Sequence, residues 1–427
     1  MTRAQTYGTM GAGLAALLLA ILDQTIVTSV AAPIVRDLHA AGGGGGGQIP
    51  WLIAAYTLAS TCVQPLYGKL ADRFGPRRVF LTTLGLFLAG STLCAAADSV
   101  GELIAFRAVQ GLGGGGLMSV TIVALAHLRH ERPDPAGNDG GNMMAAALVG
   151  IGLVLGPTVG GQIVEHLSWR WVFLINLPLG GLAWAVAWSC MRLPHRDEPT
   201  PLDLLGSALL ALVATCLLLA CQWGGQRYPW GAWQIVGLGA LGLAAVAAFV
   251  VRQLCITEPL FPVRVIALHN VRAIAALQLL TGIGMTGSAI YMTIELQLVH
   301  GISPAATGVR LLPMAAGLAI GSIVGRRLLQ TLETLTRAIA LGAVLSAATF
   351  GALALLGTGT PYWLLAALLC LLGCGIGVGM GTEVIALQRT VERRHLGIAT
   401  AGVRFVETLG GALAASGLGV LFATGLH

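Results

Sequence analysis

An all-α protein that crosses a membrane many times is the fold class this sequence predicts, and three observations carry the prediction. Of 427 residues, 56% are hydrophobic and only 10% charged, with a mean hydropathy of +0.82, whereas a soluble domain carries roughly 25% charged residues. Apolar runs long enough to cross a ~30 Å hydrocarbon core, about 20 residues each, recur from end to end. Thirteen are counted, at about 10–35, 50–68, 79–97, 101–126, 142–165, 171–191, 203–222, 231–251, 271–297, 303–325, 337–357, 361–386 and 397–425. Lys and Arg segregate between the loops: with a cytoplasmic N-terminus 18 fall on the inner side, while Arg36, Arg170 and Arg227 fall outside and Arg107, Arg310 and Arg404 lie within spans. That bias follows the positive-inside rule, so the net charge of +6 reflects topology and calls for no nucleic-acid partner.

The first span places a carboxylate, Asp23, inside the run LDQTIVTSVA (22–31). A charge at the centre of a spanning helix costs about 2.5–3.5 kcal/mol on insertion scales, so such a residue faces a polar cavity, pairs, or takes up a proton. Asp23 is therefore the first candidate for a proton-coupling site, the alternative being a structural carboxylate of fixed protonation. Gln24 beside it is either a polar lining residue or a helix contact. The run lacks a strong basic n-region and is too long for a signal-peptide h-region, which makes it a mature helix. The six-glycine stretch 42–47 that follows reads as a flexible outer loop; no Lys-Ser/Thr follows it, so it does not cradle phosphate.

Between spans 2 and 3 stands GKLADRFGPRR (68–78). Gly68 and Gly75 permit a tight turn, and Asp72 with Arg73, Arg77 and Arg78 can form a charge cluster at the helix ends. The fourth span carries RAVQGLGGGG (107–116). Arg107 lies about six residues inside it and must pair or reach water, either binding a substrate acceptor, modulating a nearby carboxylate, or snorkelling outward. Its glycines allow close helix approach or line a cavity. In the fifth span Gly156-Pro157 removes a helix hydrogen bond and kinks the chain, while Gly160 and Gly161 permit close packing.

Three further acids lie in or near spans. Glu407, about ten residues into the thirteenth, is near the midplane at 1.5 Å per residue and is a second proton or cation site, unless an i,i+3 pair with Arg404 neutralises it. Glu383, near the inner end of the twelfth span, and Glu295, near the outer end of the ninth, read as interfacial. Eight cysteines scattered through apolar segments show no metal spacing and no disulfide pattern in the loops. Nine histidines form no ligand grouping, and no nucleotide-binding loop is present, so an ion gradient is the expected energy source and no cofactor, metal or enzymatic centre is expected.

The motifs themselves carry a resemblance. GKLADRFGPRR, RAVQGLGGGG and GIGLVLGPTVGG (150–161) resemble motifs A, B and C of the major facilitator superfamily. LDQTIV (22–27), SWRWVFLINLPLG (168–180), LDLLG (202–206), GISPAATGVRLLP (301–313) and the stretch from Gln388 to Gly411 are similar to the fourteen-helix drug:proton antiporter branch, the EmrB/QacA type. The resemblance covers nearly the whole chain. It implies two six-helix bundles with a central inserted pair: an N-terminal bundle over 1–191, spans 7 and 8 with linkers over 192–252, and a C-terminal bundle over 253–427, the fourteenth helix being absent. It also implies that the motif A cluster latches the bundles together, that motif C favours exchange, and that Arg107 acts with substrate or carboxylate. Where the family pattern places a basic residue, this chain has Glu407.

The expected function is thus export of amphipathic or cationic drugs and toxic compounds in exchange for protons, by alternating access through a cavity lined by spans 1, 4, 5, 9, 10 and 13. Export of an endogenous lipid or secondary metabolite is the alternative within transport, and a non-transporting scaffold or sensor the alternative outside it. The expected setting is the plasma membrane of a bacterium, multi-pass and monomeric, with membrane lipid, protons and a small-molecule substrate as partners.

Overall fold

The computed structural model describes residues 3–40, 49–131, 140–192, 203–225, 227–256, 269–296, 301–302, 304–331, 335–356, 360–391, 399, 402–403, 405–411 and 413–414. Fourteen helices are named among them: α1 Arg3–Ala40, α2 Ile49–Phe74, α3 Pro76–Ala95, α4 Val100–Glu131, α5 Gly140–His166, α6 Trp171–Leu174, α7 Asn176–Cys190, α8 Leu204–Trp223, α9 Trp233–Cys255, α10 His269–Ile294, α11 Pro304–Arg310, α12 Leu312–Thr331, α13 Leu335–Ala354 and α14 Tyr362–Thr390. Among the described residues eight helical segments are long and apolar enough to cross a membrane, one of them, Trp171–Cys190, taking in both α6 and α7, and two shorter apolar stretches cover Leu205–Cys221 and Leu312–Gly325. In hydrocarbon every backbone N–H and C=O must be satisfied within the segment, and a helical chain meets that demand.

Two spans read as continuous in the sequence are broken. The sixth divides at Ile175 into α6 and α7, with Pro178 in the first turn of α7. The tenth divides at Leu311 into α11 and α12, with Pro313 as the second residue of α12. The backbone stays helical at the interruption, with the Ile175 N–H on the Trp171 carbonyl and the Leu311 N–H on that of Thr307, and the proline that follows removes one hydrogen bond from the helical ladder. Pro157 lies inside α5, which runs through it from Gly140 to His166. The stretch 42–47 and most of the thirteenth span lie outside the described residues.

Helix contacts fall into two similar sets. In the first half α4 packs on α2 and α3, and α1 on α5 and α7; in the second α14 packs on α12, α13 and α10. Glycines make both sets possible, because two helix backbones approach closely only where no Cβ intervenes. A Cβ on Gly90 would stand 2.6 Å from the Cα of Gln110, and one on Gly111 would stand 2.5 Å from the Tyr56 carbonyl oxygen. Gly317 and Gly321 meet the carbonyls of Cys370 and Cys374 in the same way, and Gly282 meets that of Glu407. The glycine run 111–117 is thus a packing surface shared by α2 and α3.

The halves meet along an apolar seam. Leu14, Leu17 and Ile21 of α1 and Leu125 of α4 join Met292, Met314, Leu318, Leu372, Ile376 and Met380 of the second half in one cluster, with Met10, Met118 and Met285 packed against it. At one side Gln64 of α2 hydrogen-bonds Thr408 at 3.4 Å, and α8 leans on α2 while its Leu210 and Ala214 cluster with Phe405. Helix α9 is mostly exposed, with Trp233, Leu243 and Leu254 at 80%, 73% and 65% exposure, as expected of a lipid-facing helix. Asp203 caps α8 by accepting from the Gly206 N–H at 2.8 Å, and binds Arg252 and Gln253 of α9 at 2.7 and 2.8 Å. The pair α8–α9 is thereby stapled at one end.

Candidate functional site

Asp23 lies midway along α1 and is fully buried, as is Arg107 of α4 at 1% exposure. An Arg107 Nη donates to Asp23 Oδ2 at 2.5 Å. The other carboxylate oxygen accepts from the side-chain amides of Gln110 and Asn176, each at 2.8 Å. The same Arg107 nitrogen donates to Gln110 Oε1 at 2.7 Å, and its guanidinium carbon stands 4.3 Å from the centroid of the Tyr56 ring. Ser91 of α3 accepts from both amides, at 3.2 Å from Gln110 and 2.9 Å from Asn176, and gives its own hydrogen to the Phe173 carbonyl at 2.9 Å. Six helices thus converge on one carboxylate: α1, α2, α3, α4 and the consecutive pair α6 and α7.

Asn176 is the first residue of α7, and its side chain reaches the interior of the bundle. Arg107 and Gln110 are three residues apart on α4, the spacing that places side chains on one helical face. Arg107 Nε and the Tyr56 hydroxyl are both buried without a hydrogen-bond partner among the described residues. The network is otherwise satisfied, as a buried charge requires.

Among the readings open for Arg107, the geometry selects the one in which it acts on a nearby carboxylate; with 1% exposure it does not snorkel outward. Asp23 faces the interior of the first half and not the seam. Gln24 is half-buried and its backbone carbonyl accepts from Thr28. Gly156 and Gly160 of motif C pack on α1 at Thr25, Ile26 and Ser29; Pro157 is buried and Gly161 half-buried. In motif A, Gly75 adopts a φ of 85° between α2 and α3, a left-handed turn that favours glycine, and Gly68 is buried. Arg77 donates to the Trp188 carbonyl at 2.5 Å and stacks over that ring, while Arg73 lies over Phe74 and Arg78 is exposed. These contacts stay within the first half. The Asp72 side chain lies outside the described residues.

Glu383 is buried, at 2% exposure, in the wall of a cavity of about 790 Å³ between α10, α13 and α14, with Ser288, Tyr291, Ser346 and Phe350. α14 runs on to Thr390, past the end expected at 386. Glu295 is half-buried just beyond the end of α10, and Glu407 is half-buried in the helical stretch 405–411. Arg404, the proposed neutralising partner of Glu407, lies outside the described residues. All eight cysteines are free, and no metal-ligating cluster exists among the described residues.

Sequence reasoning passed over Ser91, Gln110, Asn176 and Tyr56. Gln110 and Asn176 were legible in principle, since each is a polar residue inside an apolar run and Gln110 stands at i,i+3 from Arg107. Ser91 and Tyr56 carry no such signal, because a serine or tyrosine in a span is commonplace.

Many apolar helices and a buried ion pair within them are what a polytopic membrane transporter would contain, and comparison with known proteins gives the class. Residues 13–415 match the Major Facilitator Superfamily; the chain belongs to that family. It is 32% identical over 410 residues to the multidrug transporter protein MdtP of Bacillus subtilis (strain 168), covering 95% of this chain and 73% of that one. It is 31% identical over 400 residues to multidrug resistance protein 3 of the same organism, covering 92% of this chain and 75% of that protein. With the uncharacterized MFS-type transporter Rv1877 of Mycobacterium tuberculosis (strain ATCC 25618 / H37Rv) it shares 33% identity over 411 residues, spanning 58% of that protein. Among solved structures it resembles the human organic anion transporter MFSD10 (TETRAN) with a TM-score of 0.64 at 14% identity, covering 99% of this chain and 95% of that one, a likeness of fold.

Proposed function

We propose that this chain exports amphipathic or cationic small molecules across the plasma membrane of a bacterium in exchange for protons, as a monomer with its N-terminus in the cytoplasm. The observation that carries the reading is the Asp23–Arg107 pair, sealed from solvent inside the first half. Desolvation costs several kcal/mol per ion, and such pairs are not generally retained for stability. A proton delivered to Asp23 cancels the negative charge and leaves Arg107 with an uncompensated positive one. The Tyr56 ring and the Gln110 carbonyl remain to hold the guanidinium, and the helices carrying them must readjust. Protonation at one carboxylate is in this way a local charge event read out by α1, α3, α4 and α7 together.

The seam supports the substrate class. Six of the ten methionines (Met10, Met118, Met285, Met292, Met314 and Met380) belong to the cluster between the halves. Unbranched, polarizable side chains adapt to differently shaped apolar ligands, which suits a transporter of broad specificity, as the names of the Bacillus relatives describe those proteins. When the halves rock apart that surface opens to take an amphipathic compound, and Glu407 supplies a charge for cations. The coupling residues are Asp23 with Arg107, supported by Gln110 and Asn176; the motif A turn and the motif C glycines set how the halves move.

The test is efflux of a panel of cationic, neutral and anionic amphipathic dyes from cells carrying the chain, with and without a proton uncoupler. Uncoupler-sensitive export of cationic dyes is the expected result. Export insensitive to the uncoupler would contradict proton coupling, and no export of any dye would contradict the substrate class.

A further inference from the structure

The polarity of the hydrogen bonds around Asp23 is set by a residue that does not touch it. Ser91 is fully buried and its hydroxyl hydrogen goes to the Phe173 carbonyl, 2.9 Å away. Its oxygen is therefore left as an acceptor, and the nitrogens of Gln110 and Asn176 approach it at 3.2 and 2.9 Å. Each amide that faces Ser91 with its NH₂ group also faces Asp23 with it, at 2.8 Å. Flipping either amide would set its carbonyl oxygen against the Ser91 lone pairs, an unpaired buried contact that is disfavoured. Gln110 is fixed a second time, because its Oε1 accepts from Arg107 at 2.7 Å.

Every donor therefore points at the carboxylate. A protonated Asp23 would need an acceptor for its O–H, and neither amide can turn to supply one. We propose that Ser91 is a positioning residue for the Asp23 site: by giving its hydrogen to the Phe173 carbonyl it orients the Gln110 and Asn176 amides as donors, and so holds Asp23 ionised. Loading a proton then requires this clamp to be undone, which ties protonation to movement of α3 and α7 relative to α1. Hydrogen bonds to the charged form of a carboxylate favour that form.

The other titratable or charged groups facing Asp23 are Arg107 from α4, the Tyr56 phenol from α2 and the Cys94 thiol from α3. α6 and α7 bring Phe173 and Asn176. α5 meets α1 through Gly152 and Gly156, and the seam adds apolar side chains. Among the described residues none of these last elements contributes a charge at the site, so Ser91 and the two amides are the adjustable part of its proton affinity.

This inference rests on the proton-coupling reading of Asp23 and deepens it. The experiment is infrared titration of the purified full chain in detergent, following the C=O band of protonated carboxyl groups as pH falls, with Asp23→Asn identifying the Asp23 band. Ser91→Ala frees the Asn176 amide to offer a carbonyl, while Gln110 stays tied to Arg107, so the band should appear at a higher pH than in the parent. Asn176→Ala, which removes one donor, should shift it in the same direction and carries the test if Ser91→Ala does not fold. Ser91→Thr, which keeps the hydroxyl, should restore the parental midpoint. An Asp23 band whose midpoint a folded Ser91→Ala variant does not move, or that Asn176→Ala does not move where Ser91→Ala fails to fold, would overturn the clamp and leave the coupling reading standing. Absence of an Asp23 band in the parent and in both variants would overturn the two together.

Discussion

The carboxylate of Asp23 is the residue on which the account turns, and its environment shows what a sequence does and does not reveal. That an acid in the middle of LDQTIV needs a partner follows from the cost of burying charge; that the partner is Arg107, 84 positions away, requires the fold. The amides of Gln110 and Asn176 stand inside the motifs that signalled the family, yet their role depends on which face of α4 they share and on where the α6–α7 break falls. Glu407 offers a test at this scale. A half-buried carboxylate in a low-dielectric setting attracts cations far more strongly than in water, so Glu407→Gln should reduce export of cationic dyes and spare neutral ones of similar size. Parallel efflux assays check this, and an equal loss for both would assign Glu407 a structural role.

At the level of helices, spans were legible because the 20-residue apolar run is a strong signal, whereas breaks were not. Pro178 and Pro313 end no apolar pattern; they act only because each sits in the first turn of a new helix, a position no hydropathy profile marks. The glycines were readable as close-approach sites, and the structure adds the partners. Gly90→Val should drive a branched side chain into the α4 backbone at Gln110, where even a Cβ would stand at 2.6 Å. Overpacking of this kind costs about 1–3 kcal/mol or more, and a lower unfolding temperature of the purified protein in detergent should report it, together with a disturbed Asp23 site. In motif A, Arg77→Ala removes the tie to the Trp188 carbonyl and ring. Turnover in vesicles should change more than equilibrium dye binding, because that contact lies away from the seam; a large loss of binding with unchanged turnover would contradict it.

For the molecule as a whole, the halves are joined by contacts that alternating access must break. The hydrogen bond between Gln64 and Thr408 closes one side of the seam at 3.4 Å, so a Gln64→Cys/Thr408→Cys double variant should form a disulfide on oxidation that halts export, with a reductant restoring it. Export that continues under full cross-linking would show that this side of the seam stays closed throughout the cycle. Glycine-mediated packing recurs in both halves, and the sequence displays it only as scattered glycines. The buried clamp, by contrast, occurs in the first half, and it is there that the proton should act.

Direct measurement of exchange in vesicles reconstituted with the purified chain tests that claim most plainly. With no proton gradient imposed, an outward gradient of ethidium should drive protons in the opposite direction, reported by an internal pH dye, and Asp23→Asn should abolish that proton movement while the protein remains folded and inserted. Ethidium movement unaccompanied by protons, or proton movement unchanged in Asp23→Asn, would contradict the account.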